Sequence, residues 1–424
     1  MKRISCVLGM LFAVCVPVYS QTGVNGTWQV DGVGMPFPWQ VVLRADGARL
    51  TGMVSQCASG PNAEISEGSI DGSTIRFKCK RADGVSTISF TGRIKGDEIA
   101  FGREIQIGDG FIGTDPRDGM FGSSAPPQFV AKRVADGRLA ELAGRTRGMQ
   151  LYAAVNLPQK DVKAAGTLFL PEKVSRVRTV IVVVRYGVGI SVGGPQWDKL
   201  SEATESGLLF AQFSNIGPSV LHGFRVPSLV ARADALLLLL QRLAQDSGHH
   251  ELADAPLVLW GHSAAGQLGK TLAALHPQRT AAFVLYHSYA GSDMKVISRI
   301  PALLLAGGKD EAVLAADLQE EMKNGRALGA PWVFAVDPDA DHGSNEDLKK
   351  ADELVIPWIT AVIRQRVSPD GRTLRAVTDS SAWLGNNQTG EFVPYGVYTG
   401  TKAEASWLPD EASARGWQAV MGKK

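Results

Sequence analysis

The sequence predicts two folded units, a small antiparallel β domain followed by a larger α/β domain with a mostly parallel sheet. A length of 424 residues is more than one hydrophobic core usually serves. Short segments of alternating apolar and polar residues, separated by Asp-Gly turns, occupy the first third of the chain. From residue 148 onward, apolar runs alternate with helical stretches, which is typical of a parallel sheet covered on both faces.

Residues 1–20 have the composition of an export signal. Lys2 and Arg3 precede an apolar run from Ile4 to Val16, and we expect cleavage before Gln21. The apolar run is too short to span a bilayer comfortably. The sequence therefore predicts an exported protein, periplasmic or extracellular, with no integral membrane segment after cleavage.

The charge of the exported chain excludes some classes of partner. Removal of the signal changes 44 basic and 42 acidic residues to 42 of each, because Lys2 and Arg3 are the only charged residues lost. A net charge near zero gives no electrostatic reason to expect binding to nucleic acid or to an anionic membrane.

Cysteine usage agrees with export. Cys6 and Cys15 leave with the signal, and Cys57 and Cys79 remain. In an oxidising compartment this pair is expected to close a disulfide. The alternative is that both are buried thiols that act as small apolar residues.

Residues 21–135 are predicted to form the β domain, either a barrel or a sandwich. Its predicted strands are Trp39–Leu43, Ile65–Ile70, Thr74–Cys79, Thr87–Ile94, Ile99–Arg103 and a closing strand Phe129–Val134. Gly26, Thr27 and Trp28 resemble the start of a lipocalin-like barrel. A ligand-binding module and a structural appendage are both open, and we favour the appendage.

A linker at residues 136–147 precedes the α/β domain at residues 148–366. Its predicted strands are Gln150–Val155, Thr167–Leu170, Val180–Val184, Leu208–Phe213, Leu257–Trp260, Ala282–Tyr286, Ala302–Ala306 and Trp332–Val336. Leu229–Ala244 is predicted to be a long helix. The extension at residues 367–424 contains Trp407 and Trp417, and we expect it to pack on the α/β domain, covering part of its sheet or bordering its functional site.

The strongest chemical signal is the passage from the strand Leu257–Trp260 into a helix through Ser263. Such a turn lifts the serine hydroxyl above the sheet, and small neighbours are required because the turn is strained. Gly261 and Ala265 lie two residues before and after Ser263, and His262 directly precedes it. The turn over residues 261–265 is called the elbow below. The free amides of the following helix favour negative charge near the serine. We therefore predict that Ser263 is a nucleophile.

A serine hydroxyl requires a base that removes its proton, and His342 is the best candidate. It lies in a polar loop directly after the strand Trp332–Val336. His287 ends another strand and His222 lies in a loop expected near the active site, so both are candidates for lining the pocket. With seven histidines and no cluster of histidine and cysteine, the sequence does not indicate a metal or any other cofactor.

The histidine requires an acid that orients its ring and stabilises its cation. Asp310 follows the strand Ala302–Ala306 after a short glycine-containing turn, and Glu311 is its rival. Asp341, beside the histidine, is more consistent with a supporting or surface acid.

The chain order of Ser263, Asp310 and His342 resembles that of the α/β-hydrolase superfamily, over residues Gln150–Arg366. The resemblance implies an α/β-hydrolase fold with a mostly parallel eight-stranded sheet flanked by helices, here preceded by the antiparallel β domain. It also implies an oxyanion hole that uses the amide of Ala264 and a second amide, from Tyr186 or Gly187.

These features together predict a secreted serine hydrolase that cleaves carboxylic esters, small or polymeric, through an acyl-enzyme on Ser263. Two alternatives stay open: a serine peptidase of the prolyl-oligopeptidase type, and a non-catalytic binding protein on a hydrolase fold. The sequence indicates no oligomeric state.

Overall fold

The computed structural model describes most of the chain outside the predicted signal and linker. The described residues are 23–30, 39–54, 63–80, 86–107, 111–113, 128–134, 148–184, 195–214, 228–289, 291, 294–310, 312–342 and 345–422. The predicted signal at residues 1–20 and linker at residues 136–147 lie outside them.

The first domain is an antiparallel sheet that closes on itself. Its strands are β1 Gly26–Val30, β2 Trp39–Asp46, β3 Arg49–Val54, β4 Ala63–Glu64, β5 Ser66–Asp71, β6 Thr74–Lys80, β7 Ser86–Lys95, β8 Glu98–Ile107, β9 Phe111–Gly113 and β10 Gln128–Arg133. β10 pairs with β1 on one side and β8 on the other, so the sheet curls into a barrel-like form. The prediction of a barrel or sandwich is confirmed as the barrel-like form.

Aromatic side chains fill the interior of this domain. The rings of Phe77 and Phe90 stack with their centroids 5.0 Å apart, and Phe101 contacts both edge-on. Cys79 is buried in the same core. Its predicted partner, Cys57, lies outside the described residues, so the disulfide stays a prediction.

The second domain is built on an eight-stranded sheet. Its strands are β11 Gly148–Leu157, β12 Val162–Pro171, β13 Thr179–Val184, β14 Ser206–Ser214, β15 Leu257–His262, β16 Thr280–Tyr286, β17 Ala302–Gly307 and β18 Trp332–Asp337. Their order is β11-β12-β14-β13-β15-β16-β17-β18. β11 and β12 pair antiparallel and the other six strands run parallel, so the mostly parallel sheet is confirmed.

Helices cover both faces of this sheet. They are α1 Pro195–Thr204, α2 Leu229–Ser247, α3 Gly266–Leu275, α4 Met294–Ile297, α5 Ala312–Ala327, α6 Asn345–Arg366 and α7 Glu411–Val420. Alternate residues of one strand enter opposite cores: Val182 packs with α2 and α3, whereas Val183 packs with α1 and α6. This is why the central strands are apolar without interruption.

The C-terminal extension packs against the last strand of the sheet. It forms a small sheet of β19 Trp383–Gly385, β20 Phe392–Pro394 and β21 Ser406–Leu408, followed by α7. The Phe334 amide of β18 donates to Ser406 Oγ at 2.9 Å, and Trp417 Nε1 donates to the Phe334 carbonyl at 2.7 Å. These side chains satisfy backbone groups of β18 on the side where it pairs with no other described strand.

Among the described helices, none combines the length and the apolar composition that crossing a bilayer requires.

Candidate active site

A tight turn between β15 and α3 presents Ser263. β15 ends at His262, and a single 3₁₀ turn over Ser263–Ala265 leads directly into α3. Ser263 has a φ of +54°, in the left-handed region that is costly for a residue with a side chain. A Cβ atom at Gly261 would lie 2.5 Å from the Cα of Gly266. A side chain at this position would collide with the backbone of the following helix, so only a glycine fits there.

Three residues from three strand ends meet at this turn. His342 Nε2 lies 3.0 Å from Ser263 Oγ, and His342 Nδ1 lies 2.9 Å from Asp310 Oδ2. Asp310 follows β17 and His342 follows β18, and the carboxyl ends of parallel neighbours share one edge of the sheet. The structure therefore forms one hydrogen-bonded series from hydroxyl to imidazole to carboxylate.

The loops that carry the acid and the histidine are joined by their backbones. The Gly308 amide donates to the Asp337 carbonyl at 2.7 Å, and the Lys309 amide donates to the Ala340 carbonyl at 2.8 Å. These bonds tie the turn before Asp310 to the loop before His342. The distance between carboxylate and imidazole is therefore set by main-chain contacts.

Burial differs between the members of the series. The Asp310 side chain is 5% exposed, whereas the His342 side chain is 37% exposed. A buried carboxylate cannot exchange its partner for water, so it holds the imidazole orientation. The imidazole keeps an open side from which a proton can be passed to a bound molecule.

His262 supports the loop of His342 from inside the elbow. Its Nε2 lies 2.7 Å from the His342 carbonyl oxygen. Burial is the main cause that lowers the His262 pKa to about 3, with the nearby His342 and His287 adding to it. His262 is therefore neutral at ordinary pH, and its Nε2 must carry the proton because a carbonyl only accepts. The sequence interpretation assigned His262 to the elbow and missed this contact.

His287 lies beneath the series rather than on an open pocket surface. It is almost fully buried, with a left-handed φ of +48°. Its Nδ1 is 3.5 Å from Asp310 Oδ2. Donor atoms of His287, Asp310 and His342 lie within 4.8 Å of one another, so these three side chains are a candidate group for holding a metal ion. In this structure the His342 member of that group also contacts Ser263 Oγ.

A buried ion pair supports the helix that follows Ser263. Lys270 Nζ lies 2.7 Å from Glu321 Oε1, and it donates to the Tyr289 carbonyl at 3.0 Å. Burial lowers the Lys270 pKa, and the charge of Glu321 opposes that shift. The sequence interpretation missed this pair. The available signal was that Lys270 is the one charged residue of α3.

The other predicted site residues are only partly described. Ala264 and Ala265 lie in the 3₁₀ turn, with Ala264 exposed and Ala265 buried. Tyr186 and Gly187, predicted for the oxyanion hole, lie outside the described residues. His222, predicted for the pocket, lies outside them as well.

The structure describes only one of the other two acids considered near the histidine: Glu311, the rival of Asp310, and Asp341, expected to be a supporting or surface acid. Glu311 lies outside the described residues. Asp341 is exposed, and it is Asp310 that contacts His342 Nδ1.

Comparisons with known proteins give matches among solved structures only. No protein-family profile matches the chain, and no curated protein sequence matches it. A ferulic acid esterase is 14% identical, with 51% of this chain and 99% of that chain covered and a TM-score of 0.38. An acylaminoacyl peptidase from Pyrococcus horikoshii is 11% identical, with coverage of 76% and 65% and a TM-score of 0.43.

A prolyl endopeptidase is 12% identical, with coverage of 76% of this chain and 59% of that chain and a TM-score of 0.38. This chain therefore spans less than two thirds of the two peptidases.

The fold assignment follows from the topology itself. Two antiparallel strands lead into six parallel ones, helices cover both faces, and a sharp strand-to-helix turn follows the central strand β15. The second domain of this chain has the fold of the α/β-hydrolase superfamily.

Proposed function

We propose that this protein is a serine hydrolase that cleaves carboxylic esters. The single observation that carries the proposal is the hydrogen-bonded series from Ser263 Oγ to His342, 3.0 Å, and from His342 to Asp310, 2.9 Å. A hydroxyl, an imidazole and a buried carboxylate in this order are the parts that acyl transfer requires.

The first half of the reaction forms an acyl-enzyme. Ser263 Oγ attacks the ester carbonyl carbon while His342 Nε2 takes the hydroxyl proton. Asp310 accepts the Nδ1 proton in a hydrogen bond and stabilises the imidazolium. The tetrahedral adduct then breaks its bond to the leaving oxygen, which takes the proton from Nε2 and departs as an alcohol.

The second half releases the acid. Water gives a proton to His342 Nε2 and attacks the acyl carbon, and the proton returns to Ser263 Oγ as the carboxylic acid leaves. The adduct's oxyanion would be held by the Ala264 amide, with a second amide from Tyr186 or Gly187. Each such donor is worth about 3 kcal/mol in the transition state.

The proposal includes export and a disulfide. Residues 1–20 would be removed as a signal, and Cys57 would pair with Cys79 in an oxidising compartment. Mass spectrometry of the protein recovered outside the cytoplasm tests both. The expected mass is that of a chain that begins at Gln21. Treatment with an alkylating agent should add two alkyl groups after reduction and none before it.

An active-site probe tests the nucleophile. A fluorophosphonate should label the purified protein, and the label should disappear in Ser263→Ala. Ser247→Ala, at the end of α2, is the matched control and should label as the parent protein does. Failure of the parent protein to label while it stays folded would instead favour the non-catalytic alternative.

A substrate panel tests the ester assignment. We expect turnover of p-nitrophenyl acetate, p-nitrophenyl butyrate or a feruloyl ester with kcat/KM well above that of peptide p-nitroanilides. A higher kcat/KM on the anilides would support the peptidase alternative. A chelator such as EDTA should leave ester turnover unchanged, whereas its loss would implicate the candidate metal group at His287, Asp310 and His342.

A further inference from the structure

A cavity of about 680 Å³ lies at the amino edge of the central sheet. Its wall includes Gln278, Ile300 and Pro331, which precede β16, β17 and β18. Ser263 follows the carboxyl end of β15, and strands of six residues at about 3.3 Å per residue separate the two edges by about 20 Å. The cavity is therefore distinct from the series at Ser263.

The wall of this cavity is strongly basic. Among the described residues that line it, Lys295, Arg299, Arg366 and Arg375 are basic and Asp379 is acidic. Lys295 and Arg299 belong to the connection between β16 and β17, and Arg366 ends α6. The basic groups thus come from separate parts of the chain that the fold brings to one place.

Arg366 is the unusual member of this wall because it is 7% exposed. Its Nη1 donates to the Arg375 carbonyl at 3.1 Å and its Nη2 to the Thr280 carbonyl at 3.5 Å. Its Nε has no hydrogen-bond partner in the described part of the protein. Burial lowers the Arg366 pKa to about 10, and the group stays charged at neutral pH.

A buried charge without a counter-ion is costly, and an anion that enters beside it offsets the cost. The same domain shows the usual solution at Lys270, whose buried ammonium faces Glu321. For Arg366, the two contacts described are to neutral carbonyls, and the residue is part of the wall of a space large enough for a small molecule.

The wall also has an apolar part. Val296 and Leu328 line the cavity and are exposed, and Ile300 and Leu374 add further apolar surface. A wall with both characters suits an anion attached to an apolar body better than a fully hydrated inorganic anion.

We propose that this cavity binds a small organic carboxylate, whose charge interacts with the basic wall and whose apolar part contacts Val296 and Leu328. The proposal is independent of the chemistry at Ser263.

Calorimetric titration of the full chain with three probes tests the ligand class. The Ser263→Ala variant is used, so that no acyl transfer contributes heat. Benzoate should bind, its neutral isostere benzamide should bind at least about tenfold more weakly, and inorganic phosphate should bind more weakly than benzoate. Equal affinity for benzoate and benzamide would overturn the proposal, and so would tighter binding of phosphate or no binding of benzoate at millimolar concentration.

Variants of the wall test the location. Arg299→Glu should weaken benzoate binding about fivefold or more, because it replaces an attraction with a repulsion at an exposed position. Arg372→Glu is the matched control, since this exposed arginine does not line the cavity, and it should leave the affinity unchanged.

Arg366→Gln should reduce benzoate binding further than Arg299→Glu, with its fold checked by circular dichroism. If this buried change prevents folding, Arg299→Glu carries the test of location by itself. Unchanged affinity in Arg299→Glu would place benzoate elsewhere and overturn the proposal.

Discussion

Buried charged groups at the two edges of the central sheet differ in their partners. At the carboxyl edge, Asp310 faces His342, and nearby Lys270 faces Glu321. At the amino edge, the guanidinium of Arg366 contacts carbonyl oxygens, and Arg366 is part of the wall of a basic cavity. Paired groups fix positions, which a reaction requires, whereas an uncompensated cation favours an anion from solution. One sheet therefore offers a preorganised site at one edge and an anion-binding wall at the other.

The largest change in activity is expected for a substitution of Asp310, the acid at the carboxyl edge of the sheet. Asp310→Asn should lower kcat for ester hydrolysis by about 10⁴-fold, because the amide no longer selects the imidazole tautomer that accepts the serine proton. Asp339→Asn, an exposed acid in the loop before His342, is the control and should change kcat little. Steady-state kinetics on p-nitrophenyl acetate measure both, and a loss below tenfold in Asp310→Asn would show that another group orients His342.

The buried pair beside the elbow helix is expected to give the largest change in stability. Lys270→Met should lower the free energy of unfolding by about 3–5 kcal/mol, because Glu321 is left charged and unpaired in the interior. Urea unfolding followed by fluorescence measures the change. The double variant Lys270→Met/Glu321→Met should recover most of the loss, and equal losses in the single and double variants would contradict this account.

The matched change at the amino edge should cost less. Arg366→Leu removes donors to two carbonyls, but it also removes a buried charge and leaves no opposite charge unpaired among the described residues, so we expect the free energy of unfolding to fall by no more than about 1–2 kcal/mol. The same urea experiment compares it with Lys270→Met. A loss as large as that of Lys270→Met would remove the distinction between the two edges.

The smallest effect is a pH dependence at the elbow. The His262 pKa is about 3 in the folded protein and 6.5 is its ordinary value, so between these pH values the unfolded chain binds the extra proton. The contribution of His262 to stability is present above pH 6.5 and is lost as the pH falls towards 3, by at most about 1.4 kcal/mol per pH unit.

His262→Gln should therefore reduce the slope of unfolding free energy against pH between pH 4 and 6. Urea unfolding at several pH values measures the slope. His250→Gln, an exposed histidine, is the control and should keep the parent slope. An unchanged slope in His262→Gln would mean that His262 is not held neutral by burial.

Much of the fold could be predicted from the sequence because the central strands are uninterrupted apolar segments. Uninterrupted apolar segments such as Val180–Val184 and Ala302–Ala306 lie within one residue of β13 and β17. Longer outer strands were underestimated: β12 runs from Val162 to Pro171, whereas the sequence predicted Thr167–Leu170. An outer strand alternates in burial at its start, so its apolar signal is weaker there.

The position of strand ends in the sequence also made part of the candidate active site predictable. Ser263, Asp310 and His342 each follow a recognisable strand, and parallel strands bring their carboxyl ends to one edge. The contact of His262 with the His342 carbonyl joins residues 80 apart in the chain, and no local pattern indicates it. The wall around Arg366 likewise forms only when separate loops meet.

The C-terminal extension determines how the protein can be shortened. A chain that ends at Arg366 would retain all three members of the series but lose Ser406 and Trp417, which contact the backbone of Phe334. The outer side of β18 would then present free amides and carbonyls, and such an open strand recruits strands of other molecules. The tail covers this strand edge, so we expect the protein shortened to end at Arg366 to associate with other copies and to precipitate during purification.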